Sequence, residues 1–440
     1  MPLMFEFSVC KSGACQALVL CAVLIAFGAA FYKVAQRPPP APFQLPAIAF
    51  GTGTAAPEIR TRFVSTQQNI ATHAASLVEL SDGRIRAFWF AGSREGAEDV
   101  EIHSAVFDPA KNLWGEEQSI ANREGTQRFL LRYVKKLGNP VAHRSPDGTL
   151  WLFYVTVSLG GWAGSSISAI TSKDDGVTWG PARRLITSPF INISTLVKGT
   201  PFLYNDGSMG LPVYHEFIGK FGELLRISSS GEIIDKQRLS SGKTTLQPVM
   251  LIKNPQQALV LMRRSGASPK RVIAVTTEDA AQHWSAPTIT ALANPDAAIS
   301  GVVLPDGRIL VVLNNIEEGR DALSLVISVD NGASWKTIYQ LEDQRGQPTE
   351  VARYVQATAE SAKATDASIA DATAYARSAQ RNKCEAQICG FEFSYPYLIQ
   401  VRNGDFHLVY TWNRSFIKHV QFTRTWLDQR MEKNANAELH

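Results

Sequence analysis

A short unit repeats along most of this chain, and it constrains the fold more than any other feature. An apolar run of about five to nine residues meets a tight turn, and a second apolar run follows. The runs include RIRAFWF (84–90), TLWLFYVTV (149–157), QALVLMRRS (257–265), RILVVLNN (308–315) and DFHLVYTW (405–412). Each is announced by a turn signal such as SDG, SPDG, NPQQ, LPDG or RNG. Strand, turn and strand at even spacing predict an all-β repeat array.

A second signature closes the unit. Ser172-Lys-Asp-Asp-Gly-Val-Thr-Trp179 and Ser328-Val-Asp-Asn-Gly-Ala-Ser-Trp335 share the form Ser-x-Asp-x-Gly-x-x-Trp. The segment Thr277–Trp284 keeps the Asp and Trp in register but lacks the Gly, and Val106–Trp114 is a more eroded copy. The physics of the motif is local. The carboxylate accepts backbone N–H bonds across the turn, the Gly takes positive φ without a Cβ clash, and the Trp packs between strands. These residues are expected to brace the fold rather than to do chemistry. The motif resembles the Asp-box of the sialidase superfamily, also called the BNR repeat.

That resemblance implies a six-bladed β-propeller. Strand sets near 69–115, 138–190, 195–240, 244–292, 297–342 and 390–425 supply the blades, and the segment from Ile48 to Ser65 adds a strand that closes the ring. The propeller is expected to span 48–425. Thr349 to Gln380, rich in Ala, Glu, Lys and Asp, reads as a helical insertion between blades five and six, either a lid or partner contact or a solvated surface helix. Residues 426–440 read as a polar tail.

The N-terminus is of another kind. After a tail of residues 1–15, Gln16–Val34 carries no charge before Lys33, roughly the length needed to span a bilayer. A signal peptide would show a small-x-small cleavage site followed by polar sequence, which is missing. Leu18–Cys21 looks like a lipoprotein box, but the apolar run continues past the cysteine. The segment is therefore read as a single-pass signal anchor in the inner, cytoplasmic membrane, followed by a proline-rich spacer over 35–47. The propeller is expected to face the periplasm or cell exterior. Net charge is only +4 and no Lys/Arg run occurs, which argues against a nucleic-acid partner. Of five cysteines only Cys384 and Cys389 lie in the soluble part, as a loop disulfide or as two free thiols. No zinc-type spacing exists, and neither metal nor cofactor is expected.

The family resemblance also implies a site. Sialidases hold a sugar carboxylate with three arginines, attack with a Tyr activated by a Glu, and protonate the leaving group with an Asp. In Glu392-Phe-Ser-Tyr395-Pro-Tyr-Leu398, Tyr395 stands where the nucleophile would. Arg264 ends a strand where one arginine would emerge, with its neighbour Arg263 as the alternative because adjacent strand residues face opposite ways. Arg320 precedes the strand that runs into a good Asp-box. Three positions depart from the pattern. His73 replaces the first arginine, Gln247 replaces the Glu, and Gly92-Ser-Arg94 lacks the acid, though Glu95 and Asp99 follow it. Gln247 can hydrogen-bond but cannot take a proton. His73 with Glu95 or Asp99 is expected to serve as an acid/base pair near neutral pH. Arg94, and His215 and Glu216 in the strand LPVYHEF, complete the expected substrate contacts. His73-Ala-x-Ser, Ser-Arg-Glu-Gly, Gln-Pro and Ser-Tyr-Pro-Tyr together are similar to a bacterial exo-α-sialidase-like branch. The implied activity is hydrolysis of a glycoside of an anionic sugar. The alternatives are a polysaccharide lyase and a non-catalytic tethered propeller that binds glycan or protein.

Overall fold

The structure is a computed structural model that describes residues 13–35, 39–48, 56–188, 192–346, 350–366 and 368–437. Parts of the expected N-terminal tail, spacer, closing segment and C-terminal tail, together with Thr349, lie outside the described residues. Two units are distinct, Met1–Pro40 and Ala41–His440. The first is the helix Gly13–Ala35, of which Gly13–Tyr32 is apolar and long enough to cross a membrane, as either an anchor or a signal sequence would be.

The second unit is a six-bladed propeller. Its sheets, four of four strands and two of five among the described residues, begin with the inner strands Ala71–Glu79, Lys136–Arg144, Leu196–Val197, Thr245–Ile252, Ser300–Val303 and Phe393–Gln400. Each inner strand is followed outward by its hairpin partners in antiparallel order. The ring closes where Ile59–Phe63 pairs with Phe416–Phe422, from Ile59 opposite Phe422 to Phe63 opposite Lys418. The sixth blade therefore takes its outermost strand from the start of the domain, which ties the two ends of the ring together.

The apolar runs are continuous because blades pack on both faces of each sheet. All of Leu150–Val157 is buried. Phe88 and Phe90 of blade one meet Leu137, Leu152 and Tyr154 of blade two. On its other face, Trp89 and Phe107 meet Tyr397, Val409 and Ile417 of blade six. The Asp-boxes brace the turns between third and fourth strands. Asp174 accepts from Ser172 Oγ at 2.7 Å and Thr178 N at 2.8 Å, and Asp330 repeats this with Ser328 and Ser334 at 2.8 Å each. Gly176 and Gly332 take φ of 90° and 91° there, and in the degenerate copy Ala281 is held at 73°.

Three expectations change. The insertion is a helical hairpin, Val351–Thr365 and Ala372–Lys383, that runs three residues past the expected Gln380 and buries Tyr354, Ala362, Tyr375 and Ala379 against blades five and six. Its amphipathic spacing, not its composition alone, sets where it packs. The expected polar tail is the helix Arg424–Ala437, seated by Trp426 against Tyr339 at 5.1 Å between ring centroids, with Leu427 fully buried. The end of the expected spacer is not free: Phe43 is buried against Phe202 and Tyr204, and Gln44 N donates to Leu203 O at 2.9 Å.

Burial holds four imidazoles neutral. It pushes His73 and His143 down to about 4 and His407 to about 3, and His419, stacked on His407, falls well below its ordinary value. Because these folded values lie below the unfolded one, their contribution is complete above pH 6.5 and is lost as pH falls toward 3. Each adds about 1.4 kcal/mol per pH unit to the slope in that window. The melting temperature is expected to fall steadily from pH 7 to pH 4.5, and His407→Gln with His419→Gln is expected to flatten the fall. An identical slope in that double variant would remove the seam histidines as the cause.

Candidate functional site

A strand that alternates faces cannot send polar groups toward an axis without some break in the pattern. Four inner strands have that break at the same height. The register slips between His73 and Ser76, Gly138 and Val141, Leu246 and Val249, and Ser394 and Tyr397. The first bulged residue is left-handed each time: Ala74 at φ 51°, Asn139 at 43°, Gln247 at 52° and Tyr395 at 54°. In three of them a proline follows, Pro140, Pro248 or Pro396. Proline has no N–H for the ladder, so within a central strand it belongs at a bulge, and it keeps the residue before it out of the right-handed helical region. Ser194 (φ 56°) and Asp296 (φ 63°) stand just ahead of the inner strands of blades three and five.

These residues meet at one end of the ring, where the inner strands begin. On one side Asn139 Nδ2 and Gln247 Nε2 donate to the Tyr214 hydroxyl at 3.2 and 3.3 Å, and Arg263 Nη1 donates to Gln247 Oε1 at 3.2 Å. Arg263 Nε pairs with Asp296 Oδ1 at 2.9 Å, and Ser265 Oγ donates to Asp296 Oδ2 at 2.7 Å. Burial works against the Arg263 charge, but Tyr395, Asp296, Tyr214 and Glu216 outweigh it and raise its pKa. Burial raises the carboxyl of Glu216, opposed by Arg263 and Lys220.

On the other side a buried carboxylate gathers cations. Glu392 pairs with Lys383 and Arg414 at 2.8 Å each and with Arg320 at 3.7 Å, and accepts from Ser394 Oγ at 2.9 Å. Burial alone would raise its pKa, but Lys383 and Arg414 hold it well below the carboxylate range. Arg414 also faces Glu95 at 3.6 Å. The His73 ring packs 4.4 Å from the Tyr395 ring. A cleft of about 90 Å³ opens there, lined by Thr72, His73, Phe90, Arg94, Glu95, Asn382 and Arg414 among others. Beneath Tyr395, Lys198 of blade three crosses the axis and donates to Pro396 O of blade six at 3.2 Å. Burial pushes this lysine down to about 7.

Tyr395, His73, Glu95, Arg94, Gln247, Arg320 and Glu216 thus share one end of the propeller. Three expected residues do not join them. Arg264 turns away to Pro269 O at 3.2 Å, and its neighbour Arg263 takes the inward place. Asp99 accepts from Ser93 N and Oγ at 2.9 Å each, which makes it the brace of its own loop. His215 accepts from Ile218 N at 3.1 Å and stacks on Phe221. The expectation of His73 as a group titrating near neutrality is also corrected, since burial keeps it neutral at pH 7. Sequence reasoning missed Glu392, Asp296, Asn139, Arg414, Asn382 and Lys383 as site residues. The X-Pro steps at 139, 247 and 395 were the readable signal for the bulges, and the Asn413-Arg414 turn for the last arginine.

Comparison with known proteins agrees with this architecture. A family model described as a BNR repeat-like domain matches residues 83–408, well over half of the chain. No curated protein matches the chain by sequence. Among solved structures, the Hadza microbial sialidase Hz136 is similar with a TM-score of 0.58 and 14% identity, over 80% of this chain and 66% of that one. The NanB sialidase from Streptococcus pneumoniae gives 0.56 and 11%, over 87% and 71%. A protein of unknown function from Dyadobacter fermentans gives 0.59 and 12%, over 83% and 99%. At such identities the likeness is one of fold.

Removing the Glu392 charge leaves three cations without their shared partner in a buried place. Glu392→Gln is expected to cost about 3 kcal/mol of unfolding free energy, read from denaturant titration. A loss below about 0.5 kcal/mol would mean that solvent already screens the cluster.

Proposed function

The chain belongs to the BNR repeat-like family, and on that footing we propose that the axial cluster is a glycoside-hydrolysing site for an anionic sugar or oligosaccharide. The observation that carries this reading is Tyr395, a non-glycine residue held left-handed at the axis with His73 against its ring. Backbone strain of this kind persists where the surroundings impose it, and it gathers at functional sites.

In the proposed reaction the Tyr395 oxygen attacks the anomeric carbon as the glycosidic bond breaks. The leaving oxygen takes a proton from Glu95, and the phenol proton passes to His73, whose neutral imidazole has a lone pair to accept it. Water then cleaves the tyrosyl–sugar bond with the proton transfers reversed. Arg263, Arg320 and Arg414 would hold the anionic group in exchange for Asp296 and Glu392, as bidentate guanidinium groups suit a carboxylate. We further propose that the apolar helix anchors the chain in the inner membrane with the propeller outside the cytoplasm. The Cys384–Cys389 disulfide supports an oxidising compartment.

A second reading is a tethered propeller that binds glycan or protein without turnover. It is favoured by the pairing of Asp296 and Glu392 with cations and by an amide at Gln247. A lyase remains the third. Chromogenic sialyl, uronyl and rhamnosyl glycosides separate them. Turnover of an acidic sugar is expected, reduced at least about 100-fold in Tyr395→Phe. Undiminished turnover in that variant would sink the role of Tyr395, and an ultraviolet-absorbing unsaturated product would favour a lyase. Tight glycan binding with every assay silent would favour the second reading.

A further inference from the structure

The helical hairpin between blades five and six ends at the axial cluster, not beside it. Its apolar face is fixed by Tyr375, 4.3 Å from Phe416 and 5.0 Å from Phe63, and by Tyr354, 4.7 Å from Phe391. Its last two residues turn toward the rim. Asn382 Nδ2 lies 3.0 Å from Ile70 O, 3.3 Å from Arg414 O and 2.9 Å from Ser415 Oγ, so one amide ties blade one to blade six. Asn382 also lines the cleft with His73, Glu95 and Arg414. Lys383 Nζ is 2.8 Å from Glu392 Oε2, the same oxygen that Arg414 Nε reaches at 2.8 Å. The chain must reverse between Lys383 and Glu392 to bring them together. It does so through a two-strand hairpin in which Cys384 pairs with Cys389 and the two sulfurs are joined.

We propose that the end of the insertion is a wall of the axial site, that Asn382 and Lys383 contact the bound sugar there, and that the Cys384–Cys389 link is the clamp holding both in place. The sugar contact rests on the reading of the axial cluster as a sugar site, and the clamp does not. With Arg320 and Arg414, Lys383 makes three cations around one internal carboxylate. An anionic ligand group that displaced Glu392 would find all three already converging. Lys383 is the member of that set carried by the insertion rather than by a blade or the loops that join its strands. Its strength therefore depends on the hairpin, as a lysine ammonium on a flexible stem needs its base fixed in order to bind well.

The test uses the full chain in detergent micelles. In the Cys384→Ser, Cys389→Ser double variant, hydrogen exchange is expected to rise about tenfold or more at 69–73 and 411–416 as well as at 382–392, with 209–227 unchanged. A rise confined to 384–389 overturns the clamp. Binding is read with free N-acetylneuraminic acid and glucuronic acid. Lys383→Met is expected to weaken whichever acid binds by about tenfold or more, and Lys383→Arg to restore it to within about threefold. Lys363→Met, an exposed lysine on the same insertion, is expected to change nothing. Unaltered affinity in Lys383→Met overturns the ligand role of Lys383. If neither acid binds the parent chain, the anionic-sugar reading and that role fall together, and the exchange result still decides the clamp.

Discussion

The ring is closed by hydrogen bonds between its two ends, and every relation at the axis depends on them. Ile59–Phe63 and Phe416–Phe422 pair over a sequence separation of more than 350 residues. Without that pairing blade six would lose its outermost strand, and its hold on blade one would rest on side-chain packing such as that of Trp89 and Phe107 against Tyr397, Val409 and Ile417. His73 and Tyr395, which pack ring to ring, come from those two blades. Glu392 and Arg320 come from either side of the insertion and meet because blades five and six are neighbours in the same ring.

The two ends of the propeller divide the work. At one end the inner strands leave toward their Asp-Gly turns, and the Asp-boxes tie third strands to fourth. The hydrogen bonds inside each Asp-box are short range and hold its turn in shape. At the other end the bulges, the loop carrying Glu95, the turn carrying Arg414 and the tip of the insertion converge. The contacts there join residues far apart in sequence, and most involve charge. The repeat that marks the family lies at the first end, and the proposed site lies at the second.

That division explains what the sequence made legible. Blades and closing strand could be read because each unit announces itself through neighbours a few residues apart. The choice between Arg263 and Arg264 could not. In a strand such as Ala258–Arg264 both faces are packed, so no alternation of apolar and polar residues marks which side looks toward the axis. Tyr395 was found by the resemblance of its strand, and Gln247 by its slot. Asp296 and Glu392 were invisible as partners because their cations arrive from other elements. Asp99 looked like an acid of the site, yet a loop with a single Asp at its end also uses that residue to bond its own backbone. The neutrality of His73 follows from burial, which no local pattern reports.

The left-handed bulges have a further consequence for how such a chain changes over time. A non-glycine residue in that conformation costs roughly 1–2 kcal/mol relative to glycine. Asn139, Gln247 and Tyr395 all bear it. Selection for stability alone would drift each of them toward glycine, and only a requirement on the side chain opposes that drift. Under the proposed reading of the axial cluster, stability and activity pull in opposite directions at these positions. A lineage that lost its ligand would be expected to relax here first, while its blades and Asp-boxes stayed intact.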